Sequence, residues 1–287
     1  MHVLTKRLSP LLAMLLVSGL TACGKTEVSA PKDTKSDVAQ VIKVGSDMTF
    51  PPFEYMLDNK PAGFDIDLMS EIFKTSNATV DFVDTRFSNL IPGLEGNKFD
   101  AVISGMYITP ERLMKVDMIP YFKSTESVVV LSDSAYKPKV RDDLCGKTIA
   151  TQKGSLFPDQ LNKISKESCI AKGKAAITVR EFDTSPQAIQ AVLAKAADAQ
   201  YDDTSVAKTA VKKLNNRVEI TSTEQFFPFI GGIVVRKGDT ATYNRIQDGL
   251  EKMKASGEYD ALIKKYDLIA PTADEIKTFM AQAQKKS

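Results

Sequence analysis

From residue 41 onward the chain alternates short β-rich runs with amphipathic helical stretches, and this alternation restricts its fold more than any other feature. The runs typical of strands are residues 41–45, 80–84, 101–104, 127–131, 148–150, 177–182, 198–201, 218–220 and 230–236. The helical stretches are residues 65–75, 88–95, 110–115, 155–168, 186–196, 204–214 and 240–255. Such alternation favours mostly parallel sheets flanked by helices, in which ligands bind beyond the carboxyl ends of the strands. We therefore predict an α/β protein.

Three helices are predicted to begin at capping residues. Thr109-Pro110 and Ser185-Pro186 each place a hydroxyl side chain before a proline at the first helical position. Thr272, followed three residues later by Glu275, is typical of a capping box and predicts a last helix near the C-terminus.

The first 22 residues have the features of a secretory signal peptide. Lys6 and Arg7 precede an apolar stretch at residues 8–20, and small residues follow it. The stretch is too short, and too interrupted by polar residues, proline and glycine, to be a good membrane span. We therefore expect export and a location in the periplasm or on the extracytoplasmic surface of a membrane.

The residues around Cys23 predict how the exported chain is held. The sequence Leu-Thr-Ala-Cys at residues 20–23 is similar to a bacterial lipobox, in which Cys23 would be acylated and would attach the protein to the membrane. Ordinary cleavage after Ala22, leaving a free thiol, is the alternative. Residues 23–40 have almost no large apolar side chains, so we predict a lipidated tether there.

Charge and histidine content exclude several classes of function. After removal of residues 1–22 the chain has 36 basic and 36 acidic side chains, without a basic stripe, so nucleic acid is not expected as a partner. The only histidine, His2, leaves with the signal peptide. The remaining chain can build neither a Ser-His-Asp nor a Cys-His nucleophile, nor a metal site that needs imidazole. We predict no catalytic residues, no metal and no cofactor.

Two cysteines remain, Cys145 and Cys169. Because extracytoplasmic compartments are oxidising, a disulfide between them is the expected state. A catalytic thiol is the competing interpretation, and it would lack a histidine base.

Eight segments together carry a family resemblance. They are residues 44–55, 62–68, 90–94, 99–106, 108–112, 153–155, 197–203 and 232–238. In this order they resemble the polar amino-acid branch of the bacterial extracellular solute-binding proteins, family 3, which serve ABC importers. The resemblance covers roughly residues 41–268.

The resemblance implies a two-lobe periplasmic binding protein fold of type II, with a mostly parallel sheet flanked by helices in each lobe. The chain would cross between the lobes twice, near residues 127–131 and 229–234, forming a two-strand hinge. Lobe one would then comprise residues 41–128 and 232–287, and lobe two residues 129–231. Pro228 and the pair Gly231-Gly232 suit a segment that bends.

A bound amino acid needs a cation for its carboxylate and an acid for its ammonium group. Arg112 lies in the first turn of a predicted helix and matches the carboxylate-binding arginine of the family. Ser104 and Gly105 are expected to add hydroxyl and backbone contacts, and Ser155 the contribution of lobe two. Asp203 is predicted to bind the ammonium group, with its neighbour Asp202 as the alternative.

The remaining predicted contacts surround the ligand side chain. Phe50 and Phe87 match positions where the family stacks apolar or aromatic groups on its ligand, with core packing as the alternative. Met106 follows on the same turn as Gly105, and Asp47 is expected to support the ligand or the hinge. Tyr107 stands where relatives often have a smaller residue, so no particular relative's ligand is transferred to this chain.

The predicted function is capture of an amino acid, or a close derivative, by hinge closure, and presentation of the closed form to an ABC permease. A monomer is expected from the resemblance. One alternative is a periplasmic dehydratase on the same fold that uses carboxylates such as Glu54, Asp47 or Asp202. Another is a sensory binding protein whose partner is a receptor. The sequence does not specify which solute is bound.

Overall fold

The computed structural model of the protein describes residues 40–74 and 78–284. Its strands are β1 (Gln40–Ser46), β2 (Thr49–Phe50), β3 (Glu54–Leu57), β4 (Lys60–Ala62), β5 (Ala78–Asp84), β6 (Ala101–Val102), β7 (Val116–Leu131), β8 (Thr148–Gln152), β9 (Thr178–Phe182), β10 (Ala199–Asp203), β11 (Val218–Ile220) and β12 (Phe226–Arg236). Its α-helices are α1 (Phe64–Lys74), α2 (Leu90–Glu95), α3 (Pro110–Lys115), α4 (Phe157–Ile164), α5 (Ser185–Leu193), α6 (Thr204–Lys213), α7 (Thr240–Ser256), α8 (Glu258–Lys265) and α9 (Ala273–Gln284).

The N-terminal predictions lie outside this description. The predicted signal peptide, Cys23 and all of the predicted tether except residue 40 precede it, and Gln40 already begins β1. Within the described ranges, no helix combines the length and the apolar character that crossing a bilayer requires.

One mixed sheet of nine strands organises the molecule, in the order β5-β1-β6-β12-β7-β10-β8-β9 with β11 also paired to β7. Strand β1 runs parallel to β5 and β6, and β8 runs parallel to β10 and β9. Residues 40–115 and 237–284, around the first parallel group, are called the first half below. Residues 132–225, around the second, are called the second half.

Two long antiparallel strands, β7 and β12, join the halves. They pair from Val116 with Arg236 to Glu126 with Phe226, and the register shifts at 226/229 and at 231/232. A Cβ atom on Gly231 would lie only 1.7 Å from Cε1 of Phe122, so the ring of Phe122 packs where only glycine leaves room. The strands therefore approach closely at the point between the halves.

Every strand and helix predicted from the alternation is present. Helix α3 and strand β11 have the predicted bounds, and the ends of the others are shifted. Strand β7 begins eleven residues before the predicted start at residue 127. Its first part was not predicted because it contains Pro120, and proline weakens a strand prediction. In the structure Pro120 is accommodated opposite Gly232, beside a register shift. Helix α8 and the three-stranded sheet β2-β3-β4 were not predicted.

The predicted helix starts are confirmed in two cases and displaced in one. Thr109 caps α3 by accepting from the Arg112 N–H at 3.1 Å. Thr272 and Glu275 form the reciprocal capping box before α9. Helix α5, however, is capped by Thr184 rather than Ser185, since Thr184 and Gln187 form a capping box one residue earlier.

Helix α9 completes an apolar cluster beneath α3. Leu113 of α3, Ile230 and Val234 are buried there, and Ala283 of α9 is buried with them. Ile276, Phe279 and Met280 are half-buried against the same cluster. The last helix is therefore part of the core of the first half.

The predicted disulfide between Cys145 and Cys169 is present in the second half. Cys145 follows a 3₁₀ turn, residues 141–144, and buried Cys169 ends the wide helical turn that continues α4. The bond joins these two segments, which are 24 residues apart in sequence.

Candidate functional site

A small cavity of about 10 Å³ lies between the two halves. Its lining residues are Phe50, Phe87, Gly105, Tyr107 and Arg112 from the first half, and Gln152, Ser155, Leu156 and Phe157 from the second. Five of the nine predicted ligand contacts line this one space: Phe50, Phe87, Gly105, Arg112 and Ser155. The cavity is smaller than most small-molecule sites, so a ligand has to part the halves to enter it.

Arg112 reaches the cavity from the first turn of α3. Its Nη1 donates to the Tyr107 carbonyl at 2.7 Å, and its Nη2 donates to the Gly154 carbonyl of the second half at 3.3 Å. Its guanidinium carbon lies 5.5 Å from the centre of the Phe87 ring. Burial lowers the pKa of Arg112 to about 10, which leaves the group charged at neutral pH. A planar cation therefore faces the aromatic wall of the cavity, in a position to hold a carboxylate.

Asp203, at the end of β10, is fully buried. Its Oδ1 caps α6 by accepting from the Ser205 N–H at 2.6 Å, and its Oδ2 accepts from the Tyr107 hydroxyl at 3.2 Å. Burial raises the pKa of Asp203 to about 6, so the carboxylate is mostly ionised at neutral pH. One residue thus serves as a helix cap and as an anion that receives a donor from the opposite half.

The alternative residue, Asp202, points to the other face of β10. Its carboxylate accepts from the Ser185 hydroxyl and from Gln200 Nε2, and burial raises its pKa to about 7. Successive side chains of a strand lie on opposite faces. Asp203 is therefore the member of the pair that faces Tyr107.

Tyr107 connects the two charged groups. Its side chain is 3% exposed, stacks on Phe229 and meets the edge of Phe157. Its carbonyl is held by Arg112 and its hydroxyl donates to Asp203, as described above. The residue that departs from the family pattern thus lies at the centre of the site.

Asp47 supports the wall of the site from the end of β1. Its Oδ2 accepts from the Phe87 N–H at 2.9 Å and from Gln152 Nε2 at 3.3 Å, while Oδ1 pairs with Arg86 at 3.0 Å. Burial raises the pKa of Asp47, although Thr49 and Arg86 oppose the shift. Asp47 therefore fixes Phe87 and links the halves through Gln152.

Ser104 and Gly105 are held from behind by two buried acids. The Ser104 hydroxyl donates to Glu54 Oε1 at 2.7 Å, and the Gly105 N–H donates to Asp65 Oδ2 at 2.8 Å. Burial raises the pKa of Asp65 to about 6, and burial together with Asp65 raises that of Glu54 well above its ordinary value. The two acids accept from Ser104 and from the Gly105 N–H, and in this way they position the segment before Tyr107.

These raised pKa values predict that stability falls as pH rises. Between about pH 4 and about pH 7, the range between the ordinary pKa of Asp65 and Asp202 and their raised values, the folded protein binds more protons than the unfolded chain, so each pH step lowers the free energy of unfolding. For Asp65, the shift from 3.8 to about 6 corresponds to about 3 kcal/mol. Glu54→Gln imitates the protonated acid, and we expect thermal unfolding followed by circular dichroism to show a shallower pH dependence in this variant. A slope equal to that of Glu219→Gln, a half-buried control in the second half, would contradict a raised pKa of Glu54.

The other predicted contacts lie around the cavity. The Ser155 hydroxyl donates to the Gln152 carbonyl at 2.6 Å and accepts from the Phe157 N–H at 3.2 Å, which orders the start of α4. Met106 is buried in the apolar cluster beneath α3 and does not line the cavity. Its carbonyl accepts from the Gly232 N–H at 2.8 Å, so its contact is with β12.

Sequence reasoning did not single out Gln152, Leu156 and Phe157 as lining residues. Gln152 ends β8, a parallel strand, and its position at a carboxyl end is the signal that could have indicated it. Within the described ranges, no group of three or more His, Cys, Asp or Glu side chains is arranged to hold a metal ion.

Comparison with known proteins identifies the family of this site. The family model "Bacterial extracellular solute-binding proteins, family 3" matches residues 42–268. The chain belongs to this family. The family match confirms the resemblance predicted from the sequence. The similar solved structures confirm the predicted type II binding-protein fold, with two lobes joined by two strands.

Individual members are similar over most of their length. The probable histidine-binding protein of Neisseria gonorrhoeae is 30% identical, over 86% of this chain and 90% of the relative. The ABC transporter arginine-binding protein 1 of Escherichia coli K12 is 30% identical, over 79% and 90% respectively. An ancestral arginine-binding protein solved with arginine superposes with a TM-score of 0.73 and 34% identity, over 80% of this chain and 99% of that one.

One solved structure in the family is linked to enzymes. The ancestral amino acid-binding protein AncCDT-1, a precursor of cyclohexadienyl dehydratase, superposes with a TM-score of 0.70 and 33% identity, over 79% of this chain and 95% of that one. It is itself named a binding protein, as are the two relatives above.

Proposed function

We propose that this family 3 protein is the extracytoplasmic solute-binding component of an ABC importer and that it binds an L-amino acid between its halves. The observation that carries the proposal is the opposition of Arg112 and Asp203. The Arg112 guanidinium of one half lines the cavity and holds the Tyr107 carbonyl, and the buried Asp203 carboxylate of the other half lies behind the cavity lining and accepts from the Tyr107 hydroxyl. This arrangement complements the carboxylate and ammonium groups of a zwitterion.

In the proposed binding mode the ligand carboxylate takes both guanidinium nitrogens of Arg112 and is approached by the N-terminal turn of α4 at Ser155. The ammonium group pairs with Asp203 in place of the Tyr107 hydroxyl. The ligand side chain lies between Phe50 and Phe87, which both line the cavity. Ser104 and Gly105 supply polar groups to the ligand, and Asp47 fixes Phe87 through its backbone N–H. Met106 contributes indirectly, because its carbonyl holds Gly232 of β12.

Opening and closing would use β7 and β12, the two strands that join the halves. The lobes are proposed as residues 41–128 with 232–287, and residues 129–231. The register shifts at 226/229 and at 231/232 mark where these strands depart from regular pairing, and such irregularities are common where strands bend. A ligand that bridges Arg112 and Asp203 favours the closed form by its differential affinity.

The remaining parts of the proposal concern location and partners. The protein would be exported by the signal peptide at residues 1–22 and attached to the membrane through acylated Cys23 and the tether. As a monomer it would lie beside the permease that recognises its closed conformation. Mass spectrometry of the membrane fraction tests this, since a diacylglyceryl group on Cys23 supports attachment and an unmodified N-terminus contradicts it.

We propose binding without chemistry rather than dehydration. Glu54 lies behind Ser104, Asp202 faces α5, and both carboxylate oxygens of Asp47 are engaged within the protein. Incubation with candidate substrates should return them unchanged, and a dehydrated product would contradict the proposal.

A thermal-shift panel tests the proposed ligand class. Protein refolded once to remove carried-over ligand is mixed with the twenty amino acids, ornithine, putrescine, a dipeptide and several sugars. A ligand present at a thousand times its Kd should stabilise the protein by about 4 kcal/mol. A shift with one amino acid or a narrow group supports the proposal, whereas shifts only with amines or sugars contradict the role of Arg112.

Tyr107→Phe should tighten ligand binding. The ligand ammonium has to replace the hydrogen bond from the Tyr107 hydroxyl to Asp203, and a hydrogen bond to a charged group is worth about 1.5–3 kcal/mol. Removing the hydroxyl should lower the Kd measured by calorimetry about tenfold, with a small loss of stability without ligand. Weaker binding would show instead that the hydroxyl contacts the ligand directly.

A further inference from the structure

Glu126 lies beside the proposed ammonium site on the same face of the sheet. In the ladder between β7 and β10 it is directly opposite Asp203, and in the ladder between β7 and β12 it is opposite Phe226. Directly opposed residues place their side chains on the same face. The carboxyl group of Glu126 therefore neighbours Asp203 where that residue meets Tyr107.

Three polar atoms at this place have no hydrogen-bond partner among the described residues. Glu126 is 1% exposed, and its Oε1 accepts from Gln160 Nε2 at 2.8 Å, but its Oε2 is unpaired. The Gln160 Oε1 and the hydroxyl of fully buried Tyr201 are unpaired as well. Buried polar atoms are nearly always satisfied. The unpaired atoms point to a donor that the described part of the protein does not supply.

The surroundings specify the chemistry of that donor. A carboxyl oxygen, an amide oxygen and a phenol oxygen all accept hydrogen bonds, so a group with several N–H bonds satisfies them together. Phe157, Tyr201 and Phe226 meet edge to face along the same wall, and aromatic rings attract cations. Burial and the charge of Asp203 raise the pKa of Glu126 to about 8, although the hydrogen bond from Gln160 and the charge of Arg141 oppose the shift. A cation bound beside Glu126 would favour the charged form of its carboxyl group.

We propose that Glu126 is a specificity-determining residue that selects amino acids with a second positive charge. The α-ammonium group pairs with Asp203. The side chain of a cationic ligand follows Phe157, which lines the cavity and meets Tyr201, instead of lying between Phe50 and Phe87. Its amine or guanidinium pairs with Glu126 once the Tyr107 hydroxyl has left Asp203. Gln160 and Tyr201 complete the subsite. This inference rests on the proposed amino-acid function and deepens it, because it names diamino and guanidino acids as the ligand class.

Matched ligand pairs test the inference by calorimetry at one pH. Arginine is compared with citrulline, and lysine with norleucine, since each pair differs mainly in charge. The wild-type protein should prefer the cationic member at least about 30-fold, or about 2 kcal/mol, because only that member forms a charge pair with the Glu126 carboxylate. Glu126→Gln should reduce the preference to less than about threefold while the affinity for citrulline and norleucine is retained.

Glu219→Gln is the matched control, because Glu219 lies in the adjacent strand β11 and pairs with half-buried Lys137. It should keep the wild-type preference. Gln160→Met, in α4, should also reduce the preference for cationic ligands. This second variant provides the test if Glu126→Gln does not fold. A cationic preference unchanged in both subsite variants, or a wild-type preference for the neutral ligands, would overturn the inference. If the wild-type protein binds no amino acid, the proposed function is overturned and this inference with it.

Discussion

Arg112→Ala should weaken amino-acid binding by about 2–5 kcal/mol, which raises the Kd from about 30-fold to several thousand-fold. The reason is that the ligand carboxylate would be enclosed against Phe87 and α4 without its cation. Truncating one partner of a buried charge pair leaves the other charge uncompensated. Isothermal titration with the amino acid identified by thermal shift gives the Kd of both proteins.

Arg112→Lys and Arg180→Ala define the interpretation of this experiment. Lysine keeps the charge but not the planar fork, so most of the affinity should still be lost. Arg180 is in the second half and donates to the Ala196 carbonyl, away from the cavity, and its replacement should leave the Kd unchanged. An Arg112→Ala protein that is folded and binds as tightly as the wild type would remove Arg112 from the site.

Replacing Cys145 and Cys169 together by serine should lower stability by about 3 kcal/mol. The bond closes a loop with a sequence separation of 24, and loops of this size lose that much chain entropy when cross-linked. For a chain of this length the loss corresponds to a decrease in Tm of about 6–12 °C. Differential scanning calorimetry of the oxidised wild type and the double variant measures it.

The wild-type protein in a thiol reductant is the companion measurement. Both preparations should unfold at the same lowered temperature, and both should bind ligand with nearly the wild-type Kd below it, since neither cysteine lines the cavity. A double variant that melts within 1–2 °C of the oxidised wild type would mean that the unfolded chain is already restricted in this region.

Much of the fold could be predicted from the sequence because local patterns and tertiary packing favour the same structure. The alternation of strands and helices located the elements of the sheet, and Thr109 and Thr272 marked helix starts that the structure confirms. The first part of β7 was missed because Pro120 lowers strand propensity locally, while pairing with β12 across the whole molecule overrides it.

The site was predictable where a residue type by itself suggests a chemistry. Arg112, with a charge at a helix start, is of this kind, whereas Phe50 and Phe87 were indicated by their match to family positions, and all three line the cavity. Gln152 and Phe157 were not predictable, because amides and apolar rings are common everywhere. Glu126 lies in the polar stretch KSTES at residues 123–127, and its importance follows from its register opposite Asp203, which no local pattern encodes.

The packing of α9 determines where this protein can be cut or fused. The family pattern ends at residue 268, but Ala283 and the half-buried Phe279 and Met280 lie against the cluster that also holds Leu113 of α3. A fragment that ends at the family boundary would expose this apolar surface directly beneath the helix that carries Arg112. The smallest unit that folds independently therefore extends through α9, and an affinity handle joined there has to leave that helix intact.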